Sequence, residues 1–479
     1  NGRQASLTAP DGVRYDFSWD AADRMESVTV PGEGVIAYAD YAWQQPARVD
    51  YPGGNTRTNT YDGLQRHESI QVTNSSGQVL MDYDYTWNDV GNITDKTTEH
   101  GNYEYVYDDI DRLIQAEYPT FATDQYTYDP LGNRITDAQT GDTPWQYNDN
   151  NELLDSVNYR YEYDENGSLI TERNPDDSVY RIYEYNAETR LSAVRDAQGE
   201  LIAEYIYDPF GRRVHKTVYE PAGQNPTITW YIYSDQGLMN ELDEEGNPVE
   251  FYLFAPDGLW STDPIFRKSG VNYYYYQTDH LGTPQQLIDA AGTVVHSREM
   301  RSFGEILQTG MDDLLGFPGQ FKSIETGLHY NYMREYNVLI GRYTQRDPIG
   351  VHSDLTTFAY VRGNPIIYFD DLGLKDSNCC DPNDLVIDSF CQAGCISRCN
   401  EIIICGFRAA YSPTCSLVCA TAGLLGLSFP VYAGCELLIC IPKTAYEWWE
   451  CSTEFDDCVR ICTSEKCSYC VEDNSIRKI

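Results

Sequence analysis

Tyrosine-rich runs of alternating apolar and polar residues mark the first three quarters of the chain. Tyrosines fill every second position of residues 103–107 and 159–163. Successive side chains of a β-strand point to opposite faces, so this spacing predicts strands that bury one face. Helical spacing is nearly absent before residue 374. The pattern therefore predicts a mainly β fold for this part of the chain.

A turn motif follows many of these runs and makes the chain a repeat protein. It recurs about every twenty residues, at Tyr61-Asp-Gly-Leu-Gln-Arg66, Tyr107-Asp-Asp-Ile-Asp-Arg112, Tyr128-Asp-Pro-Leu-Gly-Asn133, Tyr163-Asp-Glu-Asn-Gly-Ser168 and Tyr207-Asp-Pro-Phe-Gly-Arg212, with weaker copies near residues 19, 87, 147 and 185. Asp-Pro-x-Gly and Asp-x-x-Gly form turns in which glycine takes the position of positive φ. A lone hairpin cannot bury its apolar face, whereas stacked hairpins can. We therefore predict a spiral β-sheet of hairpin repeats over residues 1–265.

Length and charge limit what this sheet does. A chain of 479 residues is too long for one ordinary core. Its net charge of −40 repels phosphate backbones, so we expect no nucleic-acid binding by the sheet. No phosphate loop, Ser/His/Asp set or His-x-x-x-His pattern occurs, so we expect no cofactor and no metal site. Residues 1–4 begin in the middle of a repeat, so we expect a C-terminal piece of a longer protein.

Ordered motifs after the repeats resemble those of a known family. They are Asp279-His-Leu-Gly-Thr-Pro284, Ser302-Phe-Gly-Glu305, Phe317-Pro-Gly-Gln320, Glu325-Thr-Gly-Leu-His-Tyr330 and Gly341-Arg-Tyr-Thr-Gln-Arg-Asp-Pro-Ile-Gly350. Their order resembles the core of the YD-repeat proteins of the rearrangement-hotspot (Rhs) group, which includes toxin-complex C subunits and animal teneurins. The resemblance covers roughly residues 1–374. It implies a β-shell around a C-terminal polypeptide, usually a toxin in bacterial members, and a core with plug and protease at residues 266–374.

The same resemblance implies that the chain cuts itself at the end of the shell. Toxin-bearing members end in a motif like Asn-Pro-(three or four residues)-Asp-Pro-x-Gly-Leu and cut after the leucine, and residues 364–374 match it. The implied cut therefore lies between Leu374 and Lys375. The resemblance assigns the two catalytic aspartates to Asp347 and Asp370, and a supporting arginine to Arg334.

Two positions depart from the family's pattern, and the remaining residue types suit the implied chemistry. Asp371 replaces a proline and adds a carboxylate beside the pair, and Asn337 replaces a common aspartate. Two close carboxylates cannot both ionise, so one holds a proton and the other acts as a base. An arginine fixes one of them as the ionised partner. Gly373 allows close approach of the backbone, and His280 is expected to be a hydrogen-bonded structural residue.

Cysteine usage changes abruptly after the implied cut. All 15 cysteines lie between Cys379 and Cys470. Spacings of four or seven residues place several on helix faces, so possible disulfide cysteines are Cys391, Cys395, Cys399, Cys415, Cys419, Cys451, Cys458 and Cys462. We predict a small α-helical, disulfide-rich tail over residues 375–479. Disulfides imply an oxidising destination, so the protein is expected to be secreted or on the cell surface.

Two features of the tail leave alternatives open. All seven histidines lie at or before His352, which excludes a Cys–His dyad within the tail but leaves an all-thiolate zinc site as the alternative to disulfides. Residues 417–441 are long enough to span a bilayer and carry one charge, Glu436. We favour a buried helix interrupted at Pro430 over a membrane-inserting element, and the target membrane stays a possible partner.

Three functions follow from these features. The first is a toxin whose shell holds its own tail as cargo and releases it by single-turnover aspartyl cleavage, with a secretion-system or carrier partner and an immunity protein. The second is a teneurin-like adhesive surface protein with a disulfide-stapled tail and no cleavage. The third makes the tail an enzyme, and it is the weakest because the tail has no histidine.

Overall fold

A computed structural model describes residues 3–137, 140–141, 143–350 and 356–374, all of which belong to one compact unit. Within these ranges the regular structure is β-sheet, with 3₁₀ turns at Pro52–Gly54 and Val361–Gly363 and no α-helix. The predicted mainly β fold is therefore confirmed. The predicted helical tail lies outside the described residues.

The first sheet is a twelve-stranded antiparallel meander. Each strand pairs with the next along the chain. Its strands are β1 (Ser6–Thr8), β2 (Arg14–Trp19), β3 (Met25–Val30), β4 (Gly34–Ala42), β5 (Gln45–Asp50), β6 (Thr56–Tyr61), β7 (His67–Thr73), β8 (Val79–Trp87), β9 (Ile93–Thr98), β10 (Gly101–Tyr107), β11 (Leu113–Glu117) and β12 (Asp124–Gln125). A separate hairpin follows, formed by β13 (Thr127–Tyr128) and β14 (Arg134–Thr136).

The second large sheet continues the same plan over sixteen strands. They are β15 (Gln146–Tyr147), β16 (Leu153–Asp155), β17 (Arg160–Tyr163), β18 (Leu169–Arg173), β19 (Val179–Tyr185), β20 (Leu191–Asp196), β21 (Leu201–Tyr207), β22 (Arg213–Tyr219), β23 (Pro226–Ser234), β24 (Gly237–Leu242), β25 (Pro248–Phe254), β26 (Pro264–Ser269), β27 (Asn272–Thr278), β28 (Pro284–Ile288), β29 (Val294–Met300) and β30 (Ile306–Gly310). Strand β26 spans the boundary that we predict at residue 265. The repeats and the first part of the predicted core region thus share one sheet.

A small four-stranded sheet lies in the segment that follows, residues 311–374, which we call the core segment. Its strands are β31 (Phe321–Lys322), β32 (His329–Asn331), β33 (Arg334–Asn337) and β34 (Arg342–Tyr343). Every residue of β32, β33 and β34 is buried. These strands are short and lie within the protein, so they position side chains in an environment from which water is largely excluded.

The two large sheets pack their apolar faces together. Tyr15 of the first sheet stacks on Phe251 of the second, with ring centroids 5.1 Å apart, and Tyr83 donates a hydrogen bond to Gln285. A tyrosine ring buries a large apolar area while its hydroxyl forms a hydrogen bond, so tyrosine suits a buried face of this kind. The predicted burial of one strand face holds in the runs at 103–107 and 159–163, where Tyr103, Tyr105 and Tyr161 are buried.

The repeated turn is held by its own aspartate, and we call it the Asp turn. In residues 62–66 the Asp62 Oδ1 atom accepts the backbone N–H groups of Leu64 and Arg66, and Oδ2 accepts Arg66 Nε at 2.7 Å. Asp20, Asp108 and Asp208 form the same ion pair with an arginine four residues later. These contacts are local, so the motif alone specifies the turn.

In several repeats the tyrosine that precedes the Asp turn ties its hairpin to the one before it. Tyr128 donates its hydroxyl to the Leu113 carbonyl at 2.8 Å, and Tyr207 donates to the Leu191 carbonyl at 2.7 Å. The arginine of one turn also stacks on the aromatic ring of the next, as Arg112 does on Tyr128. Phenylalanine would fill the same space without this hydrogen bond, which explains why the repeat uses tyrosine.

Candidate functional site

The core segment lies against the Asp-turn ends of the hairpins. Asn364, the first residue of the predicted cutting motif, donates to the Asn92 side chain and to the Asp111 carbonyl. Four further hydrogen bonds run from donors of the core segment to backbone carbonyls of later turns. The donors are Arg342, the Arg346 N–H, Gln345 and Tyr332, and the acceptors are the carbonyls of Asn151, Gly167, Thr189 and Phe210 in the same order. Turns that are far apart in the sequence therefore fasten one continuous segment.

Arg334, at the start of β33, brings the two predicted aspartates together. Its Nη2 atom lies 3.0 Å from Asp347 Oδ2 and 3.3 Å from Asp370 Oδ2, so both carboxylates share one guanidinium nitrogen. All three side chains are only about 2% exposed. The structure thus unites all three residues that the family resemblance assigns to the cutting site.

Asp347 belongs to an Asp turn that follows β34. Its Oδ1 atom accepts the Ile349 N–H at 3.0 Å, and its carbonyl accepts the Gly350 N–H at 2.9 Å. Its own N–H donates to the Thr357 carbonyl, which also accepts Arg334 Nη1. The local turn and the shared carbonyl therefore set the direction in which this carboxylate points.

Asp370 belongs to a second turn of the same kind, and this one contains the predicted cut. Its Oδ1 atom accepts the N–H groups of Leu372 at 3.3 Å and Leu374 at 3.1 Å, which are two and four residues ahead, as in the shell repeats. Tyr343 donates its hydroxyl to Asp370 Oδ2 at 2.7 Å. The carboxylate is thereby bonded to the amide of the residue that precedes the implied scissile bond.

The chain around Leu374 is fixed by close backbone contacts. Gly373 has a φ of +66°, and a Cβ atom there would lie 2.2 Å from the Asn331 carbonyl oxygen, so only glycine fits. Arg334 Nε donates to the Gly373 carbonyl at 2.5 Å, and Met333 N–H donates to the Leu372 carbonyl at 3.0 Å. Leu374 is buried, whereas Lys375 lies outside the described residues.

Burial governs the protonation of this site. It raises the pKa of Asp370, and the nearby Asp347 carboxylate raises it further. The Arg334 charge, the Tyr343 hydrogen bond and the Leu374 N–H oppose this shift. Burial and the neighbouring carboxylate therefore favour the protonated form of Asp370 more than they would at an exposed site.

The two departures from the family's pattern are both buried. Asp371 is packed beneath Gly319, whose hypothetical Cβ atom would lie 2.3 Å from the Asp371 carbonyl oxygen. Asn337 accepts the Leu339 N–H at its side-chain oxygen, 3.0 Å away, and so holds the turn between β33 and β34.

His280 has the structural setting that the sequence indicates. Its Nε2 atom lies 2.8 Å from the Ile366 carbonyl oxygen, and its ring packs against Tyr85 and Trp87. Burial lowers its pKa, so the neutral form is favoured. This histidine therefore helps to seat the core segment against the first sheet.

Two neighbours of the aspartates have no role in the sequence analysis. Tyr343 donates to Asp370, and Asn331 Nδ2 donates to the Tyr343 hydroxyl at 2.8 Å and to the Asp370 carbonyl at 2.9 Å. Tyr343 lies in a motif that carries the family resemblance and Asn331 directly follows one, but a motif does not indicate which distant group a side chain contacts.

The described residues contain no group of three or more His, Cys, Asp or Glu side chains that could hold a metal ion, and no helix in them is long and apolar enough to cross a membrane. The candidate cysteines and the apolar segment at 417–441 lie outside the described residues, so those predictions stay as they are.

Antiparallel hairpin repeats that are closed by a core segment with buried aspartates define a YD-repeat shell protein. The family model described as the teneurin YD-shell matches residues 51–366, which is more than half of the chain. The chain belongs to the teneurin YD-shell family. The predicted YD-repeat family is thus confirmed.

Relatives of the chain include bacterial toxins. The double-stranded DNA deaminase toxin A of Burkholderia cenocepacia (strain H111) is 28% identical over 364 residues, which is 68% of this chain and 25% of that protein. The probable deoxyribonuclease RhsB of Dickeya dadantii (strain 3937) is 26% identical over 394 residues, which is 78% of this chain and 25% of that protein. The chain thus spans about a quarter of the length of these relatives.

The fold resembles that of a solved structure. The crystal structure of TcdB2-TccC3 matches with a TM-score of 0.62 and 20% identity, over 77% of this chain and 21% of that one. At this identity the match shows a common fold.

Proposed function

We propose that this chain is the shell-closing part of a secreted or delivered toxin, and that it cuts itself between Leu374 and Lys375. The observation that carries the proposal is the pair of buried aspartates, Asp347 and Asp370, on one nitrogen of Arg334. The proposal is also supported by the hydrogen bond from the Leu374 N–H to Asp370, because Leu374 is the residue before the implied scissile bond.

The reaction is hydrolysis by a pair of carboxyl groups that share one proton. The ionised aspartate takes a proton from water, and the water oxygen bonds to the Leu374 carbonyl carbon. The protonated aspartate gives its proton to the Lys375 nitrogen as the C–N bond breaks. Leu374 gains a carboxyl group, Lys375 gains an amine, and the pair again shares one proton. Because the substrate is the same chain, high effective concentration takes the place of a substrate pocket.

The names of two relatives support the toxin assignment. They name a deaminase toxin and a probable deoxyribonuclease, and both share the shell region of this chain. We therefore propose that residues 375–479 are the cargo and carry the toxic activity, which differs from one member to another. A carrier, an immunity protein and a target membrane are the partners that this function implies.

The mass of the expressed chain under reducing conditions tests self-cutting. The expected products are residues 1–374 and 375–479, and either Asp347→Asn or Asp370→Asn should leave the chain whole. Asp62→Asn is a matched control because Asn88, Asn148 and Asn186 already hold Asp-turn positions in the shell. This control should be cut like the wild type. A wild-type chain that folds and stays whole would refute the proposal and favour an uncut adhesive surface protein.

A further inference from the structure

Four Asp turns of the shell contain an arginine that the turn at Asp370 lacks. In the shell turns at Asp20, Asp62, Asp108 and Asp208, the residue four positions ahead is an arginine that pairs with Oδ2. In the turn at Asp370, the fifth residue is Leu374. Asp370 Oδ2 therefore lacks the cation of its own turn, and more distant groups supply its donors.

Two donors meet Asp370 Oδ2, and they are unequal. The Tyr343 hydroxyl lies at 2.7 Å, whereas Arg334 Nη2 lies at 3.3 Å and is nearer to Asp347. A hydroxyl is a neutral donor, so it stabilises the carboxylate less than a guanidinium in the same place does. An aspartate held in this way keeps its turn geometry and still accepts a proton.

The orientation of the Tyr343 hydroxyl is set by Asn331. Asn331 Nδ2 donates to the Asp370 carbonyl, which only accepts, and the same nitrogen donates to the Tyr343 oxygen. The Tyr343 hydrogen is therefore free to point at Asp370. The Arg334 guanidinium lies 3.6 Å from the centre of the Tyr343 ring and fixes that ring from its face.

We propose that Tyr343, oriented by Asn331, is a positioning residue of the self-cutting site that takes the place of the arginine found in four shell turns and keeps Asp370 able to exchange a proton. This inference rests on the proposed function. The titratable and charged groups that face Asp370 are Arg334, Asp347, Tyr343 and Tyr360, and its chain neighbour is Asp371.

The test is the pH profile of cutting in chains made by cell-free translation and then transferred to buffers of different pH. Tyr343→Phe removes a donor from ionised Asp370 and so raises its pKa. Loss of a hydrogen bond to a charged group destabilises the ionised form, so the pH window of cutting should move up by about one unit or more. The rate at the wild-type optimum should fall roughly tenfold.

A second variant tests the opposite direction with an almost unchanged shape. Tyr343→3-fluorotyrosine has a more acidic hydroxyl, which is a stronger donor, so the window should move to lower pH. Tyr336→Phe is the matched control, because Tyr336 is a buried neighbour of Tyr343 whose hydroxyl donates to the Phe303 carbonyl. Its window should match that of the wild type.

The possible outcomes separate the two proposals. If wild-type chain is never cut, the proposed function fails whatever the Tyr343 variants do. If wild-type chain is cut and the fluorotyrosine variant keeps the wild-type pH window, the role of Tyr343 is refuted while self-cutting stands. A slower Tyr343→Phe chain with an unshifted window refutes it too, because mere loosening of the site changes rate without changing the window.

Discussion

The shell and the core segment both contain the Asp turn, but its aspartate has different surroundings in the two regions. In the shell the turn at Asp20 is partly exposed, and the Arg24 side chain, followed by the Arg24 N–H, lowers the pKa of Asp20. In the core segment the turn at Asp370 is buried, and burial raises the pKa of its carboxyl group. The same backbone geometry therefore accompanies a shift toward the ionised form of the aspartate in one region and toward the protonated form in the other.

The comparison indicates that the surroundings, rather than the turn, decide the chemistry. Each of four shell aspartates has an arginine of its own, whereas Asp347 and Asp370 share Arg334. Exposed ion pairs contribute little because water screens them. A buried pair loses its hydration, so its protonation depends strongly on every nearby donor and charge.

Removal of Arg334, the cation that Asp347 and Asp370 share, should lower the free energy of unfolding much more than removal of an arginine from a shell turn. Arg334→Leu leaves two carboxylates buried without a cation, and we expect it to lower the free energy of unfolding by about 3–5 kcal/mol. Arg66→Leu removes the partner of Asp62, where the two side chains are 26% and 16% exposed. We expect that loss to be about 1 kcal/mol or less. Urea unfolding measures both, and equal losses would contradict the comparison.

A methyl group at Gly373, the glycine of the Asp370 turn, should have the next largest effect, and this effect is on the rate of cutting. Gly373→Ala places a Cβ atom 2.2 Å from a carbonyl oxygen at positive φ, and the resulting displacement should slow cutting by about 100-fold. Gly77→Ala is the control, because Gly77 has a φ of +82° with nothing within 4 Å of the added atom. We expect it to lower stability by about 1–2 kcal/mol and to leave cutting unchanged. A Gly373→Ala chain that is cut at the wild-type rate would mean that this contact does not position the bond.

The ion pair of Arg213 in the shell with Glu335 in the core segment should have a smaller, pH-dependent effect on the free energy of unfolding. Burial raises the pKa of Glu335 from 4.5 to about 7, although Arg213 of β22 lies 2.5 Å away. The folded protein thus binds this proton more tightly than the unfolded chain does. The free energy of unfolding should therefore fall as pH rises from about 4.5 to about 7.

Glu335→Gln tests this slope, because it removes the titrating group and should flatten that part of the stability–pH curve. Glu162→Gln, which breaks an exposed pair with Arg173 in the shell, is the control and should leave the slope as it is. Urea midpoints across this pH range give the comparison. If the Glu335→Gln curve runs parallel to that of the wild type, Glu335 does not link the two regions through its proton.

Much of the fold follows from the chain's own pattern because its interactions are local. Alternating tyrosines specify strands, and an aspartate that bonds to amides two and four residues ahead specifies a turn, as at Asp62. Family motifs also locate Asp347, Asp370 and Arg334. The sequence does not predict the roles of Tyr343 and Asn331. Tyr343 bonds to Asp370 across 27 positions, and Asn331 bonds to the Asp370 carbonyl across 39 positions.

The amino-acid sequence by itself determines the repeat, its antiparallel hairpins and the candidate identities of the reacting residues. Only the tertiary structure brings both carboxylates to one nitrogen of Arg334 and excludes water from them. The physical reason is that a turn depends on hydrogen bonds within five residues, whereas the protonation of a buried pair depends on all the groups that folding gathers around it.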